Sequence, residues 1–171
     1  SNWAGVYSDG QFHVKSRGFW RVYNEENDYG LALFSNPDLQ KYLQDNPNHL
    51  ACGELIGRIQ KGFSYGVKAG EISLRLFDIR KPDYQYMGVE DFYTTCENYK
   101  LNPAKSVGEM LVKHDKDLIL SLSDGKTTED IDHIREGIVV RTQHPRFESR
   151  LNGRLILKCV SNTYLEKQGK K

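Results

Sequence analysis

Four short segments that mix charge with strand-forming apolar residues recur in a fixed order along this chain. They are Gly53-Glu54-Leu55-Ile56-Gly57, Arg75-Leu76-Phe77-Asp78-Ile79, Glu136-Gly137-Ile138-Val139-Val140-Arg141 and Leu157-Lys158-Cys159-Val160-Ser161-Asn162. Successive side chains of a strand face opposite ways. Strict alternation therefore sets Glu136 on the face of Ile138 and Val140, and Lys158 on the face of Arg154, Ile156 and Val160. A buried carboxylate and a buried ammonium need partners, because charge leaving water alone is too costly to be incidental. Acids and bases at strand ends thus imply a polyanionic, metal-assisted ligand, and phosphate with a divalent cation fits.

Between these segments the pattern alternates hairpins and helices. Ala4 to Tyr7 and Phe12 to Lys15 flank Asp9-Gly10, a two-residue hairpin signal. Aromatic and polar residues run on to Phe34. Ser35 or Asn36 then caps a helix with Pro37 at its first position and Leu39, Tyr42 and Leu43 on one face, ending near Asp45. A strand over Leu50 to Ile56 follows, and a loop punctuated by glycines 57, 62, 66 and 70 leads to a strand over Ile72 to Ile79. Val89 to Tyr99, with Phe92 inward, and Met110 to Leu122 read as helices; a short helical segment around Asp130 to Ile134 and a last strand over Arg154 to Val160 complete the pattern. No regular strand–helix–strand rhythm appears, which predicts an α+β fold with largely antiparallel sheets and flanking helices. At 171 residues, without repeat or long linker, the chain reads as one domain spanning 1–171.

The formal net charge of +1 excludes a generally basic nucleic-acid coat, so any such contact has to come from a local patch. The C-terminal third offers Arg141, Arg146, Arg150, Arg154, Lys158, Lys167, Lys170 and Lys171; a solvated face and a frayed tail account equally well for those other than Arg141, Arg154 and Lys158. Three cysteines without a C-x-x-C pair indicate neither a disulfide framework nor a zinc site, and the five histidines do not cluster. No apolar run reaches membrane-spanning length and no signal sequence is visible, so a cytoplasmic location is expected, with no membrane and no obvious protein partner.

The four segments, together with Ser16-Arg17 in VKSRG, resemble motifs Ia, III, IIIa, IV and V of the covalent nucleotidyltransferase superfamily of ATP-dependent ligases and mRNA capping enzymes, and most closely those of ATP-dependent RNA ligases. The match spans nearly the whole chain, and five motifs in order are far more specific than any one of them. The resemblance implies a ligase adenylation fold, ATP as AMP donor, Mg²⁺ or Mn²⁺, and RNA 5′-phosphate and 3′-hydroxyl ends as partners. It also implies that Lys158 meets the α-phosphate, Glu136 helps hold the metal, Glu54 accepts from ribose hydroxyls, Phe77 stacks on adenine, and Arg17 bridges phosphate or the terminal ribose. Val160 stands where a second lysine is frequent in motif V, which shifts phosphate charge toward Arg141 or Arg154.

Motif I, Lys-x-(Asp/Glu)-Gly, whose lysine forms lysyl-AMP, does not occur. The sequence opens on Ser1-Asn2-Trp3, so the chain is expected to be a fragment starting just after motif I and inactive in the first step. Lys15-Ser16-Arg17-Gly18 imitates the motif, but Arg17 replaces its acid and the segment follows a hairpin as motif Ia does. A DNA ligase, a capping-type enzyme or a non-catalytic module binding nucleotide or RNA ends remains open. Gly62-Phe63-Ser64-Tyr65-Gly66 matches a serine-hydrolase nucleophile elbow, yet Val67-Lys68-Ala69-Gly70 is a poor start for the helix an elbow requires.

Overall fold

The computed structural model describes residues 1–59, 65–109, 115–127, 133–167 and 169. Their contacts divide the chain into two compact units, Ser1–Ala104 and Lys105–Lys171.

The first unit is an antiparallel sheet with helices on one face. Strands β1 (Asn2–Ser8) and β2 (Gln11–Ser16) form the expected hairpin, whose turn residues Asp9 and Gly10 have φ of 52° and 78°. The two-residue β3 (Trp20–Arg21) adds to β2, and β4 (Leu50–Gly57) and β5 (Ile72–Arg80) complete the order β3-β2-β1-β4-β5. Helix α1 (Asp28–Phe34), which the sequence pattern missed, begins at Asn27, whose side chain accepts from the Gly30 N–H. Helix α2 (Pro37–Asp45) has Asn36 as cap and Pro37 in its first turn, as expected. Helix α3 (Val89–Asn98) buries Phe92. The core sets Leu33, Leu39, Leu43, Phe92 and Cys96 against the inward residues Trp3, Val14, Ala51, Leu55, Leu76 and Ile79 of the sheet.

Leu76 and Ile79 cannot both point inward on a regular strand, being three residues apart. The β4–β5 register slips by one between Cys52 and Gly53: Cys52 pairs with Asp78 and Gly53 with Leu76, so Phe77 has no residue opposite it. Such a slip re-aims side chains. Gly53 permits it, since a Cβ there would lie 2.8 Å from both the Arg75 carbonyl oxygen and Leu74 Cδ1.

The second unit contains α4 (Lys116–Ser123), β6 (Gly137–Arg141), β7 (Phe147–Glu148), a 3₁₀ turn over Ser149–Leu151, β8 (Gly153–Arg154), β9 (Ile156–Val160) and α5 (Asn162–Lys167). Strand β6 pairs antiparallel with β9, and β7 with β8 as a hairpin inserted between them. Ser161, fully buried, closes the unit: its hydroxyl donates to Asp124 Oδ1 at 2.5 Å and accepts the Tyr164 N–H at 3.1 Å, capping α5.

Three expectations need correction. The last strand does not run unbroken from Arg154: Arg154 pairs with Phe147 in β8, and the Leu155 N–H bonds to the Arg146 carbonyl instead of continuing the β9 ladder. Ile134 is not helical but bridges Lys126, while residues 130–132 of that expected helix lie outside the described residues. The expected helix from Met110 begins, where described, only at Lys116, capped by Asp115; residues 110–114 are likewise outside. Gly62, Phe63 and Ser64 of the elbow pattern are also outside, but residues 65–71 contain no helix.

Two predictions follow from this packing. At Gly137 φ is +151°, and a Cβ would sit 2.1 Å from the Cys159 carbonyl oxygen; Gly137→Ala is therefore expected to destabilise by roughly 1–3 kcal/mol in denaturant melts. The second concerns His49, whose Nδ1 lies 2.7 Å from the Tyr42 hydroxyl and whose pKa is pushed below its ordinary value by burial and by the Lys81 charge. A folded pKa below the unfolded one means that the unfolded chain takes up the proton first. Stability from this group is thus complete above about pH 6.5 and declines as pH falls below it. His49→Gln should flatten the fall in unfolding midpoint between about pH 7 and pH 5.

Candidate functional site

In the first unit, the register divides the sheet residues between two faces. Ala51, Gly53 and Leu55 look into the core; Asn2, Cys52, Glu54 and Arg75 look away from it, with Glu54 opposite Arg75 on β5 and opposite Asn2 on β1. Glu54 is half-exposed, and its Oε1 accepts from the Ser1 α-ammonium at 2.8 Å. The register slip leaves Phe77 37% exposed and outside the core cluster. An aromatic in an apolar strand is usually core; this one is held out of it, on the strand next to Glu54. Its neighbour Asp78 is buried and accepts the Ile79 N–H at 3.1 Å. Arg17 is exposed at the bend after β2.

In the second unit, Glu136 and Lys158 come together, with the Lys158 ammonium donating to Glu136 Oε1 at 2.6 Å. The alternation expected for Glu136 fails. Lys158 stands opposite Val139, on the face of Gly137 rather than that of Ile138 and Val140. The regular ladder ends at Gly137, whose positive φ lets the Glu136 side chain reach the ammonium. The burial expected for these charges fails too, since the side chains are 57% (Lys158) and 32% (Glu136) exposed. Glu136 is held through its backbone: its carbonyl accepts the Ser161 N–H at 2.9 Å. The preceding Arg135 is clamped by guanidinium bonds to the Leu122 and Lys126 carbonyls, both 2.9 Å. Arg135 and Arg75 were not singled out from sequence. Arg75 lay inside a motif segment, but its register opposite Glu54 was not legible; nothing in sequence marked Arg135 as a clamp. Arg141 ends β6 opposite Ile156, and Arg154 belongs to the separate β7–β8 ladder.

A cavity of about 400 Å³ in the first unit is lined by Leu31, Ser35, Asn36, Arg58, Ser73 and Leu74 among others, and by none of the predicted site residues. Among the described residues no three His, Cys, Asp or Glu side chains gather as a metal site, and no helix is long and apolar enough to cross a membrane.

The family model described as RNA ligase matches residues 2–160. The Naegleria gruberi RNA ligase solved with pyrophosphate superimposes with a TM-score of 0.81 at 22% identity over 99% of this chain and 49% of its own. Mutants of that ligase solved with ATP and Mn and with AMP and Mn give TM-scores of 0.81 and 0.82, each at 22% identity over the whole of this chain. This chain thus spans about half the length of these structures. No curated protein sequence matches. The likeness to these structures extends the α+β, largely antiparallel expectation to a shared fold.

Because Phe77, Glu136 and Lys158 are all partly exposed, they contribute little to stability. Phe77→Leu and Lys158→Ala should each shift folding free energy by no more than about 1 kcal/mol in thermal or denaturant melts, so that any functional loss is not one of folding.

Proposed function

Because the chain belongs to the RNA ligase family, we propose that residues 1–171 are a nucleotidyltransferase domain of an ATP-dependent RNA ligase joining RNA 3′-hydroxyl and 5′-phosphate ends. The observation that carries this reading is Phe77, displaced from the core by a one-residue register slip onto the strand beside Glu54. A stacking ring and an acceptor-only carboxylate suit the base and ribose of a nucleoside.

Phosphoryl transfer asks a protein mainly for positioning and charge neutralisation. Lys158 supplies a point charge to the α-phosphate. Before nucleotide arrives, its pairing with Glu136 keeps both charges partnered; a phosphate then offers the ammonium a stronger anion. Mg²⁺ or Mn²⁺ is held by one or two carboxylates with substrate phosphates and water completing the shell. Glu136 fits as that ligand, and the ATP and Mn in the similar Naegleria structures support it. The ion, when bound, neutralises developing phosphate charge. Exposed Arg17 binds the RNA end through its planar fork.

In this reading a lysine of a Lys-x-(Asp/Glu)-Gly segment attacks the α-phosphorus of ATP, forming a lysyl–phosphorus bond as pyrophosphate leaves. An RNA 5′-phosphate oxygen then displaces the lysine and takes the AMP. Attack by the RNA 3′-hydroxyl on that 5′-phosphate finally expels AMP.

The test is mass spectrometry of a protein carrying such a segment ahead of Ser1, incubated with ATP and Mg²⁺. A metal-dependent AMP adduct is expected, preferring ATP to GTP and resolving with 5′-phosphorylated RNA. Lys158→Ala and Glu136→Ala should reduce its formation roughly a hundredfold. Glu148→Ala should not, since Glu148 pairs with Arg150 at 3.0 Å beside the 3₁₀ turn. Phe77→Leu should weaken ATP binding without matching loss of stability. No adduct would favour a binding module; AMP on Lys15 would overturn the assignment; a GTP or DNA preference would favour the capping or DNA ligase reading.

A further inference from the structure

The edge of the five-stranded sheet distal to β5 has an unusual surface. Residues 10–24 include three cations, Lys15, Arg17 and Arg21, and no Asp or Glu. Between the cations stand Phe19 and Trp20, 70% and 60% exposed. The charges lie over rings: Lys15 Nζ is 5.4 Å from the Trp20 centroid, and the Arg21 guanidinium is 5.8 Å from Phe19 and 5.6 Å from Tyr29. His13 meets Trp20 edge-on at 6.0 Å. The turn displaying these rings is fixed, because both the Ser16 N–H and its hydroxyl donate to the Phe19 carbonyl, at 2.8 and 3.1 Å. Register places Lys15 opposite Trp20 and Ala4, and Ala4 opposite Cys52, so Trp20 and Lys15 share the outward sheet face with Glu54.

Large exposed rings cost water contact and call for an occupant. An apolar protein partner would strip three cations of water without replacing it. A polynucleotide supplies both complements: phosphates for the cations and π-faces for the rings. A base offers its face only when unstacked, so a duplex fits less well than a single strand. Resting on the RNA ligase reading above, we propose that His13, Lys15, Arg17, Phe19, Trp20 and Arg21 form a binding surface for a single-stranded RNA segment. Bases stack on Trp20 and Phe19, and phosphates meet Lys15, Arg17 and Arg21.

The chain contains two tryptophans, and Trp3 is 2% exposed, so quenching by RNA reports Trp20. Titrating the 171-residue chain with a single-stranded RNA of about ten nucleotides should quench emission saturably, and less so as salt rises. Trp20→Ala should weaken binding of a fluorescein-labelled RNA by roughly tenfold, and Trp20→Phe should recover most of it. The buried Trp3 emission and ATP binding, followed by calorimetry, should stay unchanged in both variants. Unchanged RNA affinity in Trp20→Ala overturns the inference, as does equal or tighter binding of a duplex of the same length. ATP binding without RNA binding overturns it and leaves the nucleotide reading standing; RNA binding without ATP binding sinks that reading and keeps this surface.

Discussion

A one-residue slip between two neighbouring strands shapes the first unit. The β4–β5 ladder has to bring Leu76 and Ile79 into one core although they are three positions apart, and it does so by leaving Phe77 without an opposite residue. The core on one face of the sheet thereby sets the chemistry of the other. Phe77 turns outward beside the strand bearing Glu54, and Gly53 tolerates the slip because it has no Cβ to meet the Arg75 carbonyl. Burial of Leu76 and Ile79 is worth about 1.5–3 kcal/mol each, whereas a phenylalanine left 37% exposed forgoes only part of a comparable sum, so packing wins and the ring is displayed.

The second unit reaches a similar result with another glycine. Gly137 lies against the Cys159 carbonyl, ends regular alternation, and lets Glu136 meet Lys158 across the β6–β9 pair. Arg135 and Ser161 then fix the backbone on either side of Glu136 through carbonyl and amide bonds. Both candidate carboxylates therefore adjoin a glycine whose backbone is approached too closely for any side chain. The acid is positioned by main-chain geometry, and its side chain, ion-paired to Ser1 in the case of Glu54 and to Lys158 in the case of Glu136, stays partly exposed.

The local features legible in the sequence were those with short-range causes. Asp9-Gly10 specified the hairpin turn, Asn36-Pro37 the start of α2, and the spacing of Leu39, Tyr42 and Leu43 its buried face. Helix α1 escaped notice because Asn27 caps only seven residues, too few for periodicity to emerge. Arg154 was joined to the wrong strand because a break at Leu155 depends on a hydrogen bond to Arg146, nine residues earlier.

The sequence by itself determined the order and chemistry of the motif segments: an acid after Gly53, an aromatic in the β5 run, an acid before Gly137 and a lysine in the final strand. These suffice to place the chain in its family, because residue types and their order are properties of the string. Tertiary structure alone decided that Phe77 stands out of the core, that Glu136 crosses to the face of Lys158, and that Trp20 shares a sheet face with Glu54. Each of those depends on strand register, which is set by pairing between residues distant in sequence and by which side chains the core has room to bury.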